Sequence, residues 1–235
     1  MRVRTHELYG ENRSPLQRWV VERLDARPGH LVLDVGSATG RDYHPRLTHA
    51  RVVAIDRSMG MLAEVRTPRA CADAASLPFR DAAFDRLMCN HMLYHVHDRD
   101  QALREMRRVV RPGGRVVITA NAPGGLRNLI ELHNAARAEV GLSSVMTAAE
   151  RFGLGDTDLV RAAFPDARVE VFPNALVFPA NQPVLEYLAS GPASKDPPEQ
   201  RARLFGILAA RIDEIIERHG VFRVPTDAGC FVADV

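Results

Sequence analysis

The sequence predicts an α/β fold, a doubly wound and mostly parallel sheet, and three observations carry that prediction. Apolar β-forming runs alternate with amphipathic helical patterns over residues 31–120, the pattern of βαβ units. The first run, Leu31-Val32-Leu33, passes through Asp34 into a bend containing Gly36 and Gly40. An apolar run stopping at a Gly-rich bend reads as a buried parallel strand with a tight turn at its carboxyl end. Finally, polar groups close four successive runs: Asp34, Asp56, Asp73 and Asn90. Right-handed crossovers bring all four ends to one sheet edge, where open α/β sheets bind ligands.

The elements follow in order. Ser14-Pro15-Leu16-Gln17 predicts a helix start, with Ser14 as cap and Gln17 closing a capping box. Leu16, Trp19, Val20 and Leu24 continue it at helical spacing, and Pro28-Gly29 ends it. Tyr9 to Arg13 precede it as a surface loop or as a flap over a ligand, with Arg13 meeting a carboxylate. After the first strand, residues 41–48 predict a short helix. The second strand is Arg51–Ile55 with Asp56 at its end, and residues 58–66 predict a helix with Met59, Met61 and Leu62 facing the sheet. Arg69–Asp73 is a short third strand and Phe84–Asn90 a fourth. Asp98–Val110 is amphipathic, with Ala102, Leu103, Met106, Val109 and Val110 on one stripe. Pro112-Gly113-Gly114 turns the chain into a fifth strand, Arg115–Ala120.

The remainder is less regular. Leu126–Val140 and Asp156–Phe164 predict helices, and Arg168–Phe178 is strand-like but broken by Pro173. Pro183–Ala189 predicts a short helix, Ser190–Gln200 a Pro/Ser-rich loop, Arg201–His219 a long helix, and Val221–Val235 the last strand. With no internal repeat or linker, the 235 residues are expected to form a single domain. Its core sheet would lie about 30–120 and 165–235, with lid elements 1–28, 121–165 and 179–200.

Composition narrows the function. Apolar residues make 46% and charged residues 26% of the chain, with a formal net charge of +2 and the charges interspersed. Nothing resembles the basic footprint of a nucleic-acid or membrane binder, so neither partner is expected. The first residues, MRVRTHELYGENR, show no apolar signal core, and no run is long enough to span a bilayer. A cytoplasmic protein is expected, monomeric or homodimeric. Cys71, Cys89 and Cys230 sit in strand-like runs and read as reduced, buried thiols.

The Gly-rich bend and Asp56, twenty residues after Gly36, point to a nucleoside cofactor whose ribose meets the acid. The dinucleotide pattern Gly-x-Gly-x-x-Gly is not kept, because Ala38 stands two residues after Gly36. Asp34 beside the turn would repel a pyrophosphate and favour a cofactor carrying positive charge. S-adenosylmethionine, with an ammonium, a sulfonium, a ribose and no phosphate, fits that demand.

LVLDVGSATG, VVAID, ADAASLPFRDAAFDRLMCNHMLYHV and LREMRRVVRPGGRVVIT, in this order over about residues 30–120, resemble the class I S-adenosylmethionine-dependent methyltransferases. The similarity is to the ubiquinone/menaquinone-biosynthesis-like small-molecule branch. It implies a Rossmann-like, seven-stranded sheet with helical lid or cap insertions. It also implies that Asp34 lies near the methionine ammonium and that Gly36, Ser37, Ala38 and Gly40 pack on the methionine and ribose. Asp56 would bind both ribose hydroxyls, with Arg57 and Met61 beside it. Asp73 would accept from the adenine amino group, the Ala74 amide would donate to the ring, and Asn90 would meet the ammonium through its carbonyl. Tyr9, Arg13 and His95 complete the expected cofactor-binding set. Ala38 departs from the family's usual Asp-x-Gly-x-Gly-x-Gly pattern at its middle glycine.

Methyl transfer from a sulfonium is an in-line displacement, so the protein supplies alignment, exclusion of water and, where the acceptor must lose a proton, a base. His95 is the first candidate for that base, with His91 and Tyr94 next. His91 and His95 are four apart, but no third ligand is evident and no metal is expected. His133 faces either substrate or solvent, solvent being favoured. The acceptor is expected to be a small molecule or a short peptide end. The competing readings are a non-catalytic S-adenosylmethionine-binding regulatory module and an NAD(P)-dependent oxidoreductase.

Overall fold

The computed structural model describes residues 2–12, 14–146 and 148–235. In chain order its elements are α1 (Arg2–Tyr9), α2 (Leu16–Leu24), β1 (Leu31–Val35), β2 (Arg51–Asp56), α3 (Met59–Leu62), β3 (Arg69–Cys71), β4 (Phe84–Asn90), α4 (Arg99–Val109) and β5 (Val110–Asn121). There follow α5 (Arg127–Glu139), α6 (Ala148–Arg151), α7 (Thr157–Ala163), β6 (Arg168–Phe172), β7 (Ala175–Phe178), α8 (Asn181–Ala189), α9 (Pro198–His219), β8 (Phe222–Pro225) and β9 (Ala228–Asp234).

The central sheet has seven strands in the order β3-β2-β1-β4-β5-β9-β6. The first five run parallel, and β9 pairs antiparallel with both β5 and β6. This is the Rossmann-like, mostly parallel α/β sheet that the sequence predicts. Strand order reverses between β1 and β4, whose register sets Asp34 opposite Met88 and Val35 opposite Cys89. Such a reversal opens a crevice at the carboxyl ends of the two strands.

Alternation along the strands sends side chains to two buried faces. Leu33, Val35, Leu87, Cys89, Val116 and Ile118 pack with Leu103 and Met106 of α4 and Val160 of α7. Val32, Met88 and Val117 pack on the other face with Val20 and Leu24 of α2. Burial on both faces explains why these strands read as continuous apolar runs.

The chain divides into two compact units. Residues 14–123, 152–172 and 228–235 form the sheet unit. Residues 1–13, 124–151 and 173–227 form the second unit, a helical body with the two-stranded antiparallel β7–β8 sheet and its own core of Leu129, Leu176, Phe178, Leu204, Leu208 and Ile212. Of the segments expected as lid, α2 and α7 fall in the sheet unit, whereas β8 and nearly all of α9, from the segment expected as core sheet, fall in the helical one.

Several local expectations change. Residues 41–48 make only a 3-10 turn at His44–Arg46, with Pro45 inside it. The helix α2 starts at Leu16 with Pro15 as N-cap and no side-chain cap, so Ser14 does not cap it. Only one turn forms after Ser58, which accepts from the Met61 N–H at 3.3 Å. One turn buries a single flank: Leu62 faces the core, while Met59 and Met61 are 65% and 48% exposed. The third strand ends at Cys71, and Asp73 instead bridges to Ser76. Cys71 is exposed because β3 is an edge strand, whereas Cys89 and Cys230 are buried, and all three are free thiols. The stretch read as one last strand becomes β8 and β9 in two different sheets. His133 does not face solvent but is fully buried, because α5 packs against both α9 and β8. Among the described residues no helix is long and apolar enough to cross a membrane.

Candidate functional site

The turn after β1 is held by β2. The Gly36 and Ser37 N–H groups both donate to the Ile55 carbonyl at 2.9 Å. Gly36 adopts φ +73°, and a Cβ there would come within 2.3 Å of Met92 Cγ, so only glycine fits. Ala38 takes φ 48°, a left-handed conformation unusual for a residue with a side chain. Its N–H donates to Asp56 Oδ2 at 2.9 Å. The Ser58 N–H donates to Asp56 Oδ1 at 2.8 Å. The Asp56 carboxylate therefore ties two loops together at the carboxyl end of β2 while keeping lone pairs free.

Asp34 lies at the carboxyl end of β1 and is 2% exposed. Its Oδ2 meets His44 Nε2 at 2.9 Å, and its Oδ1 is buried without a partner. Burial pushes the Asp34 carboxyl above its usual range; the His44 hydrogen bond and charge oppose that shift, and the nearby Asp56 carboxylate adds to it.

A second polar chain ends at Asn90. Burial raises the phenol of Tyr43, and the neighbouring Thr119 side chain opposes that shift. Thr119 Oγ1 donates to Asn90 Oδ1 at 3.2 Å and accepts from the His91 N–H at 3.1 Å. This fixes the Asn90 amide and leaves Nδ2 buried with no partner. The carboxyl ends of two neighbouring strands thus carry one orphaned acceptor and one orphaned donor. Each costs about 1–3 kcal/mol while unpaired.

Beside these groups the sheet unit holds a cavity of about 460 Å³. Of the residues expected from sequence, Gly36, Asp56, Arg57, Asp73, Ala74 and His95 line it. Met92, Val96, His97 and Asp98 also line it and were not singled out, although they follow strand four in the same segment as His95. Asp98 reads from sequence as the cap of the next helix, and it is that too, accepting from the Gln101 N–H at 2.9 Å. Asp73 accepts from the Ala75 N–H at 2.9 Å and has Arg57 at 3.7 Å.

The other expected residues lie elsewhere. Asp34 and Asn90 are the buried strand ends just described. Ser37, Ala38 and Gly40 form the turn, and Met61 stands exposed on α3. His91 and Tyr94 are not among the lining residues; His91 takes φ 48°, and the Tyr94 ring packs at a tilt against His95 with centroids 4.5 Å apart. Tyr9 belongs to the helical unit, where its ring packs on Phe178 at 5.2 Å, and Arg13 lies outside the described residues.

Asp56, Asp73 and Asp98 set three carboxylates on this cavity against the single guanidinium of Arg57. Such a lining repels a phosphate and attracts a cation. The site can hold a positively charged, phosphate-free nucleoside.

Comparison with known proteins agrees. The family described as "Methyltransferase domain" matches residues 33–118. A demethylmenaquinone methyltransferase of Streptomyces avermitilis is 40% identical over 108 residues, covering 43% of this chain and 47% of that protein. The chain thus spans less than half the length of the curated relatives that it matches first. A malonyl-[acyl-carrier protein] O-methyltransferase of Halorhodospira halophila is 33% identical over 217 residues, covering 84% of this chain and 72% of that one. Among solved structures, a putative methyltransferase from an antibiotic biosynthesis pathway of Anabaena variabilis shares the fold with a TM-score of 0.63 at 16% identity, over 94% and 96% of the two chains. On the match that extends through both units, this chain belongs to the class I S-adenosylmethionine-dependent methyltransferases.

Proposed function

We propose that the chain transfers a methyl group from S-adenosylmethionine to a small-molecule nucleophile, using the cavity at the carboxyl edge of β1, β2 and β4. The observation that carries this is the buried, unpartnered Asp34 Oδ1 beside a cavity lined by carboxylates. A lone acceptor at that depth calls for a cationic donor, and the ammonium of the cofactor's amino-acid portion is one. Asn90 Nδ2, equally buried and unpaired, suits the carboxylate of the same portion. Asp56, held by two amides, would take the ribose hydroxyls, with Asp73 and the Ala74 amide at the adenine.

When bound, the cofactor supplies a methyl already activated on a sulfonium. The chain's own residues then align, shield and manage protons. His95 is exposed on the 3-10 turn Leu93–His95 and lines the cavity, and from there it would take a proton from an acceptor oxygen or nitrogen and pass it to solvent. Met92 packs over Gly36 and closes the apolar side of the turn.

The test is incubation with methyl-labelled S-adenosylmethionine and a panel of oxygen, nitrogen, carbon and sulfur acceptors, read by mass spectrometry. One labelled product with equimolar S-adenosylhomocysteine supports the proposal. Tight cofactor binding with no labelled product across the panel favours a regulatory module instead.

A further inference from the structure

His44 is the residue of the glycine turn that no expectation from sequence singled out. It opens the 3-10 turn His44–Arg46, and its N–H donates to the Gly40 carbonyl at 3.0 Å. Its ring is pressed onto Gly40, where a Cβ would come within 2.4 Å of Nδ1 and 2.6 Å of Cε1. Any residue but glycine at position 40 would push the imidazole out of place. From that seat Nε2 reaches Asp34 Oδ2 at 2.9 Å, and the pair is shielded, with side-chain exposures of 11% and 3%. The other carboxylate oxygen, Oδ1, has no partner.

We propose that His44 is a positioning residue for the amino-acid portion of the cofactor. By donating Nε2–H to Oδ2 it fixes the Asp34 carboxylate and leaves Oδ1 alone to receive the cofactor's ammonium. This rests on the cavity taking S-adenosylmethionine. Recognition is then divided. Asp56 and Asp73 serve the nucleoside, whereas Asp34, set by His44, serves the amino acid. Glycine at position 40 is needed to seat the His44 ring as well as to turn the chain.

The division can be read by calorimetry with two ligands. S-adenosylhomocysteine carries the amino-acid portion, and 5′-methylthioadenosine keeps the nucleoside and lacks it. His44→Phe should weaken S-adenosylhomocysteine by about tenfold to a hundredfold, the worth of one hydrogen bond to a charged group, and leave methylthioadenosine unchanged. His44→Gln, whose side-chain N–H can still donate, should recover part of the loss. Equal weakening of both ligands would show a merely structural turn and overturn the proposal. So would unchanged affinity for both, or loss of a cooperative melt in both variants. Wild-type protein that binds neither compound would refute the cofactor site itself. Wild-type binding matched by both variants would refute His44 alone.

Discussion

At Ala38 the backbone adopts φ 48°, and its N–H is pinned to Asp56 at 2.9 Å. A left-handed residue with a Cβ costs about 1–2 kcal/mol. Glycine would remove that cost but return about 0.4–1 kcal/mol of freedom to the unfolded chain. Ala38→Gly should therefore stabilise the protein by roughly 0.5–1 kcal/mol, a melting temperature raised by about 1–4 °C. A lowered melting temperature would contradict this. His133 presents a different problem, being fully buried with neither ring nitrogen partnered. Burial first, and then the nearby Arg137 charge, lowers its pKa from 6.5 to about 4. The unfolded chain takes up this proton first as the pH falls. The stability is therefore full above pH 6.5 and is lost progressively towards pH 4, by roughly 3 kcal/mol in all. His133→Leu should leave stability near pH 7 equal or higher and flatten this acid limb, as followed by urea melts between pH 4 and 7. An unchanged limb would assign it to other groups.

At the scale of elements, the Pro/Ser-rich stretch 190–200 looks like a free loop in sequence, yet it is tied down. Arg137 on α5 forms a bidentate pair with Asp196 at 2.6 and 3.0 Å, and its Nε–H donates to the Ser143 carbonyl at 2.6 Å. Both partners are buried, with side-chain exposures of 7% and 8%. Removing one partner strands the other charge away from water. Asp196→Ala should cost about 3–5 kcal/mol by denaturant melts, whereas an exposed pair such as Arg18–Glu22 should be worth under about 1 kcal/mol. The reach of the helices is also decided here. The stripe of α4 is periodic and capped by Asp98, and it forms almost as its sequence predicts. The segment after Ser58 carries apolar residues at helical spacing but stops after one turn, leaving Met59 and Met61 exposed.

For the whole molecule, each unit has its own apolar core, and the cavity of the candidate site is lined by the sheet unit alone. Leu208 is fully buried in α9 of the helical unit. Leu208→Ala should cost about 2–5 kcal/mol of stability. Below its lowered melting temperature, calorimetric affinity for S-adenosylhomocysteine should stay at the wild-type value. A parallel loss of affinity would show that the helical core governs the cavity.

Local chemistry by itself determined the parallel α/β sheet, the acids at the ends of the first two strands and the segment after strand four that lines the cavity. Continuous apolar runs, Gly-rich turns and capping residues act over a few positions and are legible in a single chain. Tertiary structure alone decided that Asp34 is paired to His44 on one oxygen and left open on the other, that His133 is buried, and that the last residues divide between two sheets. Each of these depends on which distant segments close over a group and take away its water. Burial and the pairing of polar atoms are properties of the packed whole, and no periodicity in the sequence encodes them.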